Sequence, residues 1–296
     1  MSASRTGSAT IPLLPWPEAW GSERPRTQII AALILVLFTT VVMVPYAVDS
    51  ANSGDSMRFY FGIAGFLVGI SFLVALAPTT RVRRKKLPDD IEVGHTSKAP
   101  GMRIWYLRSW RRALGLWLAV GTAFLTIRAW IFLTDATESD SNAISVLNTG
   151  GLFVATTGLI MIATFSYYLY SGARSRGFVS IGSNGIEQCL GRSTRAIDWD
   201  DIGDIYPCVV NNSHTVRITP TSEGKISVDT SKSLIDRWQS GLLERSIDVP
   251  VWVLGMDSAL FLHAARYYWQ HPAARNELAS GAVIDRMLRG DLDAQP

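Results

Sequence analysis

The residue types that could support chemistry are few and lie mostly in the last two fifths of the chain. Cys189, Cys208 and His214 are zinc-ligand types, but nineteen residues separate the two cysteines and no CxxC pair occurs. We interpret the cysteines as small side chains buried on neighbouring strands. His263 and His271 lie eight residues apart, without the Glu of an HExxH pair. The sequence therefore predicts neither a metal site nor a cofactor.

Acidic and nucleophile motifs are equally uninformative. Asp198, Asp200, Asp201 and Asp204 resemble a calcium loop, but the EF-hand spacing and its distal Glu are missing, which favours a solvated turn. No P-loop, GxGxxG or GxSxG motif occurs, and no Ser/His/Asp spacing suggests a nucleophile. The sequence predicts a protein that is not an enzyme and does not bind nucleic acid.

The composition indicates a membrane protein. Of the 296 residues, 48% are hydrophobic and 18% are charged, against roughly 25% charged in an ordinary soluble domain. The mean hydropathy of +0.17 excludes a disordered chain, and two cysteines exclude a disulfide scaffold. The apolar residues are concentrated in windows rather than spread through the chain.

Four windows are long and apolar enough to cross a bilayer, which takes about 20 helical residues. They are residues 28–48, 59–77, 113–133 and 151–171. This spacing predicts an α-helical membrane domain built as two hairpins. Gly65 and Gly69 form a GxxxG motif in the second window, which would allow close helix packing.

Arg128 is an ionisable residue inside a predicted span. It could serve a substrate or proton path, since intramembrane charges are often functional. Alternatively it snorkels to the outer interface, or it pairs with Asp135 on the same helix face. The absence of an acid, a histidine or a lysine from the predicted spans argues against transport by the four helices.

The distribution of Lys and Arg predicts that both termini are cytoplasmic and that the protein lies in the plasma (inner) membrane. Short cytoplasmic loops are enriched in these residues. The predicted inner loop, residues 78–112, is the most basic part of the chain, whereas residues 134–150 contain acids and no base. Trp16, Trp20, Trp105 and Trp110 flank the spans on this inner side, as aromatic belts do.

The inner loop is a candidate contact for anionic inner-leaflet lipids. The same charges would also enforce topology without any specific ligand. Residues 94–101 have the composition of a mobile linker, and residues 102–112 alternate aromatic and basic residues as an interfacial helix does. The candidate membrane-contact residues are Arg81, Arg83, Arg84, Lys85, Lys86, Arg111 and Arg112.

From Gly177 onward the chain is that of a soluble α+β domain. Its 11 Lys and Arg against 15 Asp and Glu give a charge of −4, which leaves +7 on the remainder. Asn184-Gly185 between apolar runs predicts a β-hairpin. Further strands are predicted at 195–199, 204–210, 215–219, 225–229 and 247–254, followed by helices at 258–270 and 273–288.

The succession of short strands followed by a helix, together with a short motif, resembles bacterial pleckstrin-homology-like (PH-like) domains. The motif is Gly185 followed by Ile197-x-Trp199-x-x-Ile202. The segment around "YYWQHPAARNEL" is similar to tails of actinobacterial multi-pass membrane proteins of an uncharacterised family. The resemblance implies a bent antiparallel barrel with a C-terminal helix, in which the Trp and Ile pack a turn under the barrel. Residues 231–246 depart from it, because they read as partly helical.

The resemblance implies a binding module, since PH-like domains recognise lipids or proteins. The hairpin turn lacks the bases that hold inositol phosphates in eukaryotic relatives, which favours an unidentified protein partner or a homo-oligomer. We expect a cytoplasmic leader (1–27), a membrane domain (28–176), a PH-like domain (177–290) and a tail (291–296). The expected role is a scaffold or accessory subunit, and the alternative is a small transporter or lipid-handling protein.

Overall fold

The protein forms two compact units in a computed structural model. The structure describes residues 10–94, 99–138, 142–171, 176–191, 193–229, 241 and 244–292. One unit is helical and comprises Arg26–Pro78 and Arg108–Ser171. The other is rich in β-structure and comprises Met1–Pro25, Thr79–Leu107 and Gly172–Pro296.

The helical unit contains the four predicted spans. Its helices are α1 (Thr27–Asn52), α2 (Ser56–Leu76), α3 (Arg108–Glu138) and α4 (Asn142–Ser171). All four are long and apolar enough to cross a membrane, within the described residues. α1 continues through Pro45, and the Asp55 carboxylate caps α2 by accepting the Arg58 N–H at 3.0 Å.

The first two helices approach closely along a row of glycines. A side chain at Gly62, Gly65 or Gly69 of α2 would collide with Ala47, Met43 or Thr40 of α1, respectively. The predicted GxxxG packing is therefore confirmed, and it extends one turn further to Gly62. Small residues allow this approach because no Cβ separates the two backbones.

The β-rich unit holds two antiparallel sheets. Within the described residues, one sheet has six strands in the order β1-β2-β3-β4-β5-β8, and the other has the order β6-β7-β9. The strands do not close into a barrel there, and the bent antiparallel barrel that the resemblance implies stays a prediction. The strands are β1 (Ile91–Val93), β2 (Gly101–Trp105), β3 (Phe178–Gly182), β4 (Gly185–Cys189), β5 (Thr194–Asp198), β6 (Ile202–Val210), β7 (Ser213–Pro220), β8 (Ser227–Asp229) and β9 (Ile247–Pro250).

Most tail elements match the sequence prediction, but the predicted strand at 247–254 ends at Pro250 and continues as a 3-10 segment (Val251–Leu254). The β3–β4 hairpin forms around Asn184, and α5 (Ser258–Gln270) has the predicted bounds. A 3-10 segment (Pro272–Ala279) and α6 (Ala282–Arg289) follow, so the helical segment predicted at 273–288 is interrupted at Gly281. The expected irregularity at 231–246 falls largely outside the described residues.

The inner loop differs from its prediction. Residues 101–105 form strand β2, which pairs with β3, and α3 begins only at Arg108. The expected interfacial helix at 102–112 is therefore wrong over its first half, because Met102 and Ile104 face the core on alternate positions of a strand. Of the expected linker, residues 95–98 lie outside the described residues.

One hydrophobic core joins three separate segments of the chain. It includes Ile11 and Trp20 from the leader, Met102 and Ile104 from the inner loop, and the inward faces of the tail strands. The leader and inner loop thus belong to the β-rich unit, which differs from the expected division at Gly177. The tail supplies most of the core but not all of it.

Candidate functional site

The basic run of the inner loop divides into exposed and enclosed residues. Arg81, Lys85 and Lys86 are exposed, whereas Arg83 and Arg84 are partly buried within the β-rich unit. Burial lowers the pKa of Arg84, and the nearby Arg81 charge lowers it further. The exposed bases are available to a ligand, whereas Arg83 is held by contacts within the β-rich unit.

Arg83 links the leader to the C-terminal helix. Its guanidinium donates to the Leu14 carbonyl at 2.9 Å, lies 3.3 Å from the Asp257 carboxylate and faces the Trp16 ring. The Asp257 carboxylate also accepts the N–H groups of Ala259 and Leu260, so it caps α5. The Asp257 carboxylate is thus shared between an arginine and a helix N-terminus.

The leader itself is held against the β-rich unit. Trp20 is 1% exposed and donates its indole N–H to the Cys208 and Thr215 carbonyls, at 2.9 and 3.2 Å. His263 contacts the Pro15 carbonyl at 3.1 Å. The placement of Trp20 in an inner aromatic belt is therefore wrong, because its ring is buried within this unit. Trp16 is half-buried and packs with Trp20 around His214, and its interfacial placement stays a prediction.

An arginine–aromatic cluster lies on the strands next to the helix boundaries. The rings of Trp105 and Phe178 are 5.4 Å apart in an edge-on arrangement. The Arg103 guanidinium lies 4.3 Å from the Phe178 ring centre, and Arg176 lies 5.5 Å from that of Trp105. Arg176 also pairs with Asp90. The sequence indicated Trp105 as a membrane-interface residue, but it did not identify these cation–π partners.

The remaining basic candidates lie in the helical unit. Arg112 is exposed, and Arg111 lies 5.4 Å from the ring centre of Tyr170 on α4. Their contact with a membrane surface stays a prediction.

Arg128 is placed among aromatic rings. Its guanidinium lies 4.0 Å from the Phe132 ring centre and 5.2 Å from that of Phe61. Phe61 lies in the first two turns of α2 and Phe132 in the last two turns of α3. Arg128 is therefore near one end of the helical unit, as the snorkelling interpretation requires. The pairing with Asp135 and the transport interpretation stay predictions.

The residues of the PH-like motif form one packed turn. Trp199 is 3% exposed and donates its indole N–H to the Gly182 carbonyl at 3.0 Å, and Ile202 is buried beside it. The Arg275 guanidinium lies 4.8 Å from the Trp199 ring centre. Gly185 pairs so closely with the Ile197–Asp198 strand that any Cβ would collide with its backbone. The four residues act structurally.

A buried polar cluster was not identified from the sequence. Arg195 donates to the Gln188 side-chain oxygen and to the Ser246 carbonyl, the latter at 3.0 Å. The Gln188 amide donates to the Tyr106 hydroxyl and to the Asp248 carbonyl, both at 2.9 Å. Arg195 is 6% exposed and Gln188 is fully buried. The only signal for it was the polar pair Gln188 and Arg195 at inward positions of apolar strands.

Desolvation dominates the electrostatics of this cluster. Burial lowers the pKa of Arg195 and raises that of Tyr106, and only weaker contributions from neighbouring groups oppose it. At the edge of the cluster, Arg217 and Asp248 form a bidentate ion pair with both distances at 2.7 Å. That pair holds the pKa of Arg217 above its usual value.

The cysteines and histidines do not converge. Cys189 is on the six-stranded sheet and Cys208 on the other, so their expected placement on neighbouring strands is wrong. Among the described residues, no group of three or more His, Cys, Asp or Glu could hold a metal ion.

Comparisons with known proteins add no assignment. The chain matches no protein-family model, no curated protein and no solved structure. Its function is therefore argued from the fold and from these clusters.

Proposed function

We propose that the protein is a non-enzymatic scaffold or accessory subunit of the plasma membrane, with a PH-like domain held at the inner leaflet. The observation that carries the proposal is the shared core of the leader, inner loop and tail. Four helices of membrane-spanning length separate these three segments along the chain. The chain connects such a domain to the helices at four places, which restricts its motion as a binding platform on the membrane requires.

The shared core also supports the topology. A bilayer cannot divide one hydrophobic core, so the leader, the inner loop and the tail lie on one side when all four helices cross. The exposed bases Arg81, Lys85 and Lys86 support the proposal that this side is cytoplasmic. Two antiparallel sheets, a C-terminal helix and the packed Trp199 turn support the PH-like fold.

Thiol labelling tests the topology. In a variant without Cys189 and Cys208, a cysteine at Ser53 should react with a membrane-impermeant maleimide on intact cells. A cysteine at Lys86 should react only after permeabilisation. Equal reaction of both on intact cells would contradict the proposal.

Cross-linking in intact membranes tests the scaffold role. We expect the full-length protein to be cross-linked into one discrete complex, with a second protein or with a second copy of itself. The complex should persist when Arg128 is replaced by Ala, because the β-rich domain carries the role. A protein that stays monomeric at every cross-linker concentration would overturn this proposal.

A further inference from the structure

The buried polar cluster lies along one rim of the six-stranded sheet. Tyr106 extends the β2–β3 ladder by one residue, with its N–H bonded to the Gly177 carbonyl at 2.9 Å. Gln188 and Arg195 are cross-strand partners, one pair from the end of the β4–β5 ladder. Because these ladders end in the same row of the sheet, all three side chains gather at that rim.

Two hydrogen-bond donors of the cluster have no acceptor among the residues that the structure describes. The Arg195 Nε–H is buried and makes no hydrogen bond. The Tyr106 hydroxyl accepts from the Gln188 amide, and this bond leaves its own proton unused. Buried donors normally find a partner, so two together indicate that an acceptor is expected at this rim.

The charge of the cluster is also unbalanced. Asp248, the acid whose charge acts on Arg195, is engaged in the bidentate pair with Arg217. No carboxylate among the described residues is bonded to Arg195, whose own acceptors are an amide oxygen and a carbonyl. A buried cation without a counter-charge is strongly unfavourable. A water molecule would satisfy the donors but not the charge.

We infer that this rim binds a phosphate group, which accepts the Arg195 Nε–H and the Tyr106 O–H. Arginine suits phosphate because its charge and its fork of donors match the phosphate oxygens. The inference goes beyond the proposed scaffold role and does not depend on it. It concerns a ligand held within the domain, whichever partner the domain has.

The phosphate has two sources. Tyr106 precedes the first residue of α3 by only two positions, so the chain keeps it within about 7 Å of that helix end. A phospholipid headgroup beside a membrane-spanning helix can supply the group, and so can free phosphate. The chemistry at Arg195 and Tyr106 is the same in both cases.

The test compares both sources on the full-length protein. In detergent micelles, inorganic phosphate is titrated against chloride at equal ionic strength, and the rise in melting temperature reports binding. In nanodiscs, native mass spectrometry compares retention of phosphatidylglycerol with that of a phosphate-free glycosyl diacylglycerol. The variants are Tyr106→Phe, which removes only the hydroxyl, Arg195→Lys, which keeps the charge but removes Nε, and the control Tyr267→Phe.

We expect the wild type and Tyr267→Phe to bind phosphate. Both site variants should bind it more weakly, by a factor of about ten or more. Retention of phosphatidylglycerol alone identifies a headgroup site, and binding of free phosphate alone identifies a soluble ligand. Either result supports the inference. Binding of neither ligand by the wild type, or equal binding by the wild type and a folded Tyr106→Phe variant, overturns it.

Discussion

At the residue scale, the buried Asp257 carboxylate joins α5 to the inner loop of the β-rich unit through three kinds of contact. It caps α5, pairs with Arg83 and accepts the Arg84 N–H at 3.2 Å. We predict that Asp257→Ala lowers the free energy of unfolding by about 3 to 5 kcal/mol, because it leaves Arg83 buried without its counter-charge. Asp257→Asn should cost less, since its amide oxygen can still cap the helix. Urea unfolding in detergent micelles measures both.

A double-mutant cycle tests the Asp257 prediction. Arg83→Gln combined with Asp257→Asn should lower the free energy of unfolding by less than the sum of the two single changes. The reason is that each single change leaves the other residue without its partner. Strictly additive losses would show that the ion pair contributes nothing.

The Glu277–Arg286 pair gives a pH dependence with a definite sign. The two carboxylate oxygens accept from Arg286 at 2.7 Å each, and this bonding lowers the pKa of Glu277. A lowered folded-state pKa means that the stabilisation is complete above the unfolded-state pKa, roughly 4.3. It is lost as the pH falls through the lowered value. The wild type should therefore have a higher melting temperature than Glu277→Gln at pH 7, and this difference should shrink below pH ~4.3.

Melting curves across the acid range check this sign. Glu223→Gln is the matched control, because it removes an exposed carboxylate that lies outside the Glu277–Arg286 pair. A gap between wild type and Glu277→Gln that stays constant from pH 7 to pH 3 would contradict the assignment.

At the scale of elements, the contact of α2 with α1 depends on the absence of a side chain at Gly69. A Cβ there would overlap the Thr40 side chain. We predict that Gly69→Ala destabilises the helix pair, although alanine favours helix by about 1 kcal/mol. The double variant Thr40→Gly/Gly69→Ala should recover much of the loss. Unfolding in mixed detergent and SDS micelles measures both.

Gly150→Ala is the control for this helix contact. Gly150 lies in α4 with no atom within 4 Å of the position a Cβ would take. Equal effects of Gly69→Ala and Gly150→Ala would assign the loss to helix propensity and not to packing against Thr40.

Elements with local sequence signals were predicted, whereas strands with distant partners were not. The β3–β4 hairpin and α5 were predicted because their signals are local, namely Asn184-Gly185 in a turn and Asp257 before a helix. β1 and β2 were missed because a main partner of β2 is distant in the sequence, with no turn signal to join the two strands. The partner of β2 is β3, which follows it only after two long helices, and no local pattern records such a pairing.

At the scale of the whole molecule, the missed features share one cause. The leader was assigned to the membrane interface because Trp16 and Trp20 precede a span, and tryptophan is common there. The Arg195 cluster was missed because Tyr106 and Ser246 are distant in sequence from Gln188. The four candidate spans follow from composition alone, whereas a core shared by three segments follows from long-range packing.

The leader gives the decisive prediction about this shared core. Trp20→Ala should destabilise the β-rich unit by about 3 to 5 kcal/mol, because it empties a large buried volume and removes the indole donor of the Cys208 and Thr215 carbonyls. Cys208 lies at that contact, so its thiol should react faster with maleimide in a Cys189→Ala background. Trp130→Ala, which removes an exposed ring from α3, should leave the rate unchanged. An unchanged rate in Trp20→Ala would show that the leader contributes nothing to the fold of the tail.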